Sequence, residues 1–143
     1  MAEFAAQLPA VDVAAGRSPG FVWRLATSDP MILFNLSVWE SVEALKEFTY
    51  HGGHLAAYRD RARWFGPPAE AYLAMWWIPA GHMPSVEEAV ERLAFRREHG
   101  DTAVAFPLAR PHPMRAEPSA EPPRNIWHMD GCLGVTRDAQ HLY

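Results

Sequence analysis

The chain has 143 residues, a formal charge of −4 and a hydrophobic share of 49%. That size and composition fit one ordinary domain with a core of its own. The acidic balance gives no electrostatic footprint for nucleic acid, the single Cys132 excludes an intrachain disulfide framework, and no apolar run approaches the roughly 20 residues that cross a membrane.

Met1 to Ala10 has neither the basic start nor the long apolar core of a secretory signal, so the expected location is the cytoplasm. Glu3 to Leu8 reads as a short first strand ended by Pro9, and Val11 to Ala15 is too short for a helix. Ser18-Pro19-Gly20 is a turn signal. Phe21 to Leu25 follows as a strand, with Phe21, Trp23 and Leu25 on one side and Val22 and Arg24 on the other.

Met31 to Trp39 carries the clearest strand pattern. Ile32, Phe34, Leu36 and Val38 form one apolar face. The opposite face gains Asn35, Ser37 and Trp39 in its second half, residue types suited either to a sheet face that meets water or to the lining of a cavity. Ser41 is placed to cap a helix, with Glu43 in its first turn. Val42, Leu45 and Phe48 then recur at helical spacing. Gly52-Gly53 interrupts that helix, and a second helical stretch runs from His54 to Phe65 before Gly66-Pro67-Pro68. Its Arg59, Arg61 and Arg63 read as a solvated face, with Asp60 between them.

Tyr72 to Ile78 is apolar on both faces, as in a strand covered on both sides. The few helices of so small a domain are expected to cover one face, and a second subunit the other. Pro79 to Pro84 is a loop. Ser85 and Glu88 have capping-box spacing, a helix runs from Val86 to His99, and Gly100 stands where a terminating glycine belongs. Ala103 to Phe106 suggests a last edge strand. Pro107, Pro111, Pro113, Pro118, Pro122 and Pro123 then make an extended linker without helix or strand. The expected division is a domain over 1–106 and a proline-rich linker and tail over 107–143. Within the tail, Asn125 to Tyr143 regains apolar residues, enough to dock on the domain or on a partner.

Several of these segments resemble an uncharacterised family, domain of unknown function 3291. They are Ser18-Pro19-Gly20-Phe21-Val22-Trp23-Arg24-Leu25, the joint from Leu36 to Leu45, Trp64-Phe65, Trp76-Trp77-Ile78-Pro79-Ala80-Gly81-His82 and the helix ending at Gly100. The joint also resembles that of antibiotic-biosynthesis-monooxygenase-like proteins. The resemblance spans about Phe4 to Phe106. It implies an α+β fold: a ferredoxin-like antiparallel sheet with helices on one face, paired sheet to sheet into a homodimeric α/β barrel. It also implies a pocket between sheet and helices. That family has a full helix ahead of the Ser-Pro-Gly turn. Pro9 to Arg17 is too short for one, so one side of the pocket is expected to stand open.

The residues able to carry chemistry cluster near the joint. His51 and His54 are three apart, a spacing that can hold a metal on one helix face, but no carboxylate lies at a signature offset and no metal is expected. His54, His51 and Tyr58 are the candidate catalytic groups. Asn35, Trp39, Arg59, Trp76 and His82 are the candidate substrate-binding set, His82 because it follows a strand end, where binding residues gather. The resemblance implies a monooxygenase-like enzyme acting on a mostly apolar or aromatic small molecule, with no cofactor required. Haem on a histidine is possible, since some barrels of this kind bind it. Two alternatives remain: a haem- or ligand-binding protein without catalysis, and an interaction protein that works through its C-terminal tail.

Overall fold

The structure is a computed structural model. It describes residues 2–26, 35–52, 54–64, 70–114 and 125–130; of 2–5, 26, 61–64 and 125–130 the backbone alone is described. Expectations that fall on Ile32, Phe34 or Cys132 lie outside the described residues. The elements are α1 (Ala2–Arg17), β1 (Phe21–Ala26), β2 (Asn35–Trp39), α2 (Val42–Tyr50), α3 (Leu55–Trp64), β3 (Leu73–Ile78), α4 (Val86–His99) and β4 (Asn125–Asp130). The fold is α+β, with the strands in one antiparallel sheet of order β1-β2-β4-β3.

The N-terminus departs from the sequence reading. Glu3 to Leu8 is not a strand, and α1 is a continuous helix of 16 residues with Pro9 inside it. An interior proline costs about 3 kcal/mol. Helix-favouring alanines at 2, 5, 6, 10, 14 and 15 work against that cost, and Val11 and Ala15, one turn apart, are buried in the core. Asp12 adds an ion pair of 2.9 Å to the largely buried guanidinium of Arg24 on β1. The helix expected to be curtailed is therefore present, and the side of the fold expected to stand open is covered by it. Gly20 has φ +80, and a Cβ there would lie 2.6 Å from the Ala44 Cβ. Only glycine lets the turn come this close to α2 in that conformation.

The joint behaves as its residues suggest. Ser41 Oγ accepts the Ala44 N–H at 3.1 Å, capping α2. Val42, Leu45 and Phe48 bury its apolar stripe. The helix stops at His51, and α3 resumes at Leu55 with Ala57 buried. In α4, Ser85 Oγ accepts the Glu88 N–H at 3.1 Å, and Gly100 takes φ 76 at the far end. The basic last turn of α4 leans back on the sheet. Arg97 Nε donates to the Ala71 carbonyl at 2.8 Å, and the Arg96 guanidinium donates to the Leu73 carbonyl and, at 2.9 Å, to Asp101.

Strand register decides which face each side chain takes. Ser37 and Trp39 of β2 share a face with Met75 and Trp77 of β3, toward α1, α2 and α3. Leu36 and Val38 share the other face with Ala74, Trp76 and Ile78, where Ala89 and Leu93 of α4 pack. Helices thus lie on both faces of the sheet rather than on one. The doubly apolar strand is buried on both sides as its pattern requires, with Ala74 and Met75 at 0% exposure. The cover comes from this chain's own elements, not from a second subunit.

The packed body continues beyond Phe106, where the linker was expected to begin. Ala105, Phe106 and Leu108 are buried. In place of an edge strand, Phe106 and Met75 exchange two backbone hydrogen bonds, of 2.8 and 2.9 Å. Trp77 Nε1 donates to the His112 carbonyl at 2.9 Å. Residues 107–114 form neither helix nor strand. The apolar end of the tail then returns as β4, between β2 and β3 and antiparallel to both.

Candidate functional site

Asn35, Ser37 and Trp39 project from β2 toward the helical pair α2–α3. The Trp39 indole is 1% exposed. Its Nε1–H donates to Ser37 Oγ at 3.0 Å, giving a buried N–H the acceptor it needs. Phe21 meets it edge-on at 5.5 Å between centroids, and Phe48 lies against it at 5.0 Å. Trp39 therefore fills the space under α2 rather than lining a cavity there. Asn35 stands at the opposite end of β2, roughly 13 Å away at 3.3 Å per residue. Its Oδ1 is buried and has no hydrogen-bond partner among the described residues.

The stack continues outward from Phe48. The His54 ring lies 5.5 Å from Phe48 and 6.5 Å from Tyr58, and Tyr58 meets Tyr50 edge-on at 5.3 Å. The break after α2 makes this possible: it swings His54 back over the helix it has just left. The outcome is one run, Phe21–Trp39–Phe48–His54–Tyr58–Tyr50, from the sheet through α2 to the first turn of α3 and back to the last residue of α2. His51 is not part of it. Its side chain is 70% exposed and sits 3.3 Å from Glu47 Oε2. The two histidines thus lie in different surroundings, one in solvent and one on an aromatic ring. Arg59 is exposed. Among the described residues no group of three His, Cys, Asp or Glu side chains is arranged to hold a metal.

Trp76 and His82 belong to the other side of the sheet. Trp76 is 1% exposed, and its Nε1–H donates to Glu88 Oε1 at 3.1 Å. The second oxygen, Oε2, lies 2.8 Å from His82 Nε2. The Arg92 guanidinium stands 5.9 Å from the centroid of the Trp76 ring. Glu88 thus bridges a buried indole and a loop histidine. The eight residues expected at one site divide: Trp39, His54 and Tyr58 join in the stack, Asn35 shares their face at a distance, Trp76 and His82 form a separate cluster on α4, and His51 and Arg59 face solvent.

Sequence reasoning missed Phe21, Phe48, Tyr50 and Glu88. Phe48 was legible as part of the apolar stripe of α2, though not as the link between Trp39 and His54. Glu88 was legible as the second member of a capping box. Its backbone takes that part, while its carboxylate turns to Trp76 and His82.

The model of a family described as domain of unknown function (DUF3291) matches residues 1–121. The chain belongs to this family. No curated protein and no solved structure matches it. The match begins at α1 and stops short of β4, so a central strand of the sheet lies outside the matched residues.

Proposed function

We propose that this DUF3291 protein binds a small, mostly apolar or aromatic molecule on the α2–α3 side of the sheet, beyond the space that Trp39 fills, with His54 and Tyr58 as its polar contacts. The observation that carries this reading is the stack itself. It sets a half-buried imidazole and a half-buried phenol beyond the buried rings of Trp39 and Phe48, groups suited to a flat ring with one hydroxyl. His54 is the group able to take a proton from such a phenol. Monooxygenase-like oxidation by dioxygen, with the phenolate supplying the electrons, is the reaction that the resemblance of the joint at Leu36–Leu45 suggests. Asn35, with its buried Oδ1, adds a polar atom on the same face.

The ferredoxin-like label and the dimeric barrel belong to the same proposal. In such a barrel the second subunit packs on a sheet face, and here α4 occupies one face through Ala89 and Leu93. Homodimerisation draws its support from the resemblance and from Val22 and Leu25, exposed on the edge strand β1. A cytoplasmic setting is proposed with it; no helix among the described residues is long and apolar enough to cross a membrane.

Calorimetric titration with a panel of phenols and naphthols tests the reading. At least one is expected to bind, and His54→Ala to weaken it by about tenfold, the worth of one hydrogen bond to a charged group. A panel without any binder would contradict the proposal. Oxygen uptake on adding the bound phenol separates an enzyme from a binding module, and a Soret band on adding haemin would favour the haem-binding alternative.

A further inference from the structure

β4 differs from every other element in the way it joins the fold. It is the last described segment of the chain, yet it lies in the interior of the sheet, not at an edge. It pairs with β2 from Leu36↔Met129 to Trp39↔Ile126, and with β3 from Leu73↔Asp130 to Ile78↔Asn125. β2 and β3 do not pair with each other; β4 alone joins them. The remaining elements form one body without it. α1, α2 and α3 pack on one side of β2 and β3, α4 packs on the other, and Phe106 and Leu108 close the core. The body is therefore a groove one strand wide, with backbone donors and acceptors along both walls.

The register also sets what the groove accepts. Positions 127 and 129 fall in the rows of Val38 and Trp76, and of Leu36 and Ala74. Those four side chains are 0–1% exposed. The sequence offers Trp127 and Met129 there, the large apolar types such rows need. Only the ten residues 115–124 separate the strand from the described body, three of them proline. A stretch of ten residues reaches at most about 35 Å.

We propose that the body formed by residues 2–114 is a strand acceptor. Asn125–Asp130 is its tethered donor, exchangeable for the same segment of a second copy of this chain. The same backbone pairs form whichever copy supplies the strand, so exchange costs little beyond the tether, as in domain swapping. The tether gives the chain's own strand an effective concentration of roughly millimolar order, and that sets the regime in which a second copy competes.

The test uses the full chain with a specific protease site inserted after Ala116. Cut under native conditions, the C-terminal fragment is expected to stay with the body. A labelled peptide of residues 122–131 then replaces it one for one, binding the cut protein at least tenfold more tightly than the uncut chain. The same peptide carrying Trp127→Pro is expected not to enter, because proline cannot donate to the ladder of an interior strand. Uncut chains bearing donor and acceptor dyes, mixed at about 1 mM where the second copy matches the tether, are expected to show energy transfer. Release of the fragment with the body's unfolding midpoint unchanged would overturn the proposal. So would a cut protein that never takes up the peptide, equal entry of the proline peptide, or no energy transfer in the concentrated mixture.

Discussion

The two faces of the sheet each bury one tryptophan to 1% exposure, and they do so by different means. Trp39 sits among rings, with its N–H satisfied by a neutral hydroxyl two residues away. Trp76 gives its N–H to a carboxylate that also holds a histidine. The first face is an aromatic stack that passes outward through His54 and Tyr58 to Tyr50. The second is a polar relay centred on Glu88. The same residue type on adjacent rows of one sheet thus serves two different environments. The histidines that look interchangeable in the sequence, His54 and His82, belong one to each.

The largest effects test the feature the faces share. Trp39→Ala and Trp76→Ala each empty a fully buried site, and urea unfolding is expected to show a loss of about 3–5 kcal/mol for either. A loss below about 1 kcal/mol at one of them would mean that its face is not packed as described. Replacement by phenylalanine keeps most of the volume and exposes the difference. Trp76→Phe removes a bond to a charged acceptor and is expected to cost about 1.5–3 kcal/mol. Trp39→Phe removes a neutral bond and is expected to cost about 1. Equal costs would erase the distinction between the faces. The smallest effect belongs to the histidine outside both clusters. His51→Ala is expected to stay within about 0.5 kcal/mol of the native protein, as exposed surface changes do.

The comparison also shows what the sequence made legible. Local chemistry was readable: the Ser41 and Ser85 caps, the stop at Gly100, the break near Gly52 and the two-sided burial of β3 all follow from residue type and spacing. α1 was obscured because Pro9 looks like a terminator, although Leu8, Val11 and Ala15 recur at helical spacing across it. Register parity within β2 and β3 was readable as well, but parity does not say on which side of the sheet α4 will lie. That side decides whether His82 joins His54 or stands apart from it. β4 lacked a local signal, since its place between β2 and β3 is set by pairing with segments roughly 50 and 90 residues earlier, a long-range choice that tertiary context makes.

The division of the histidines is most directly tested by nuclear magnetic resonance of the protein carrying labelled histidine, titrated with a phenol that calorimetry shows to bind. The predicted result is that the His54 ring signals shift in step with saturation, while those of His82, held by Glu88 across the sheet, stay where they are. A shift of His82 with His54 unmoved would place the ligand on the α4 face and contradict the account.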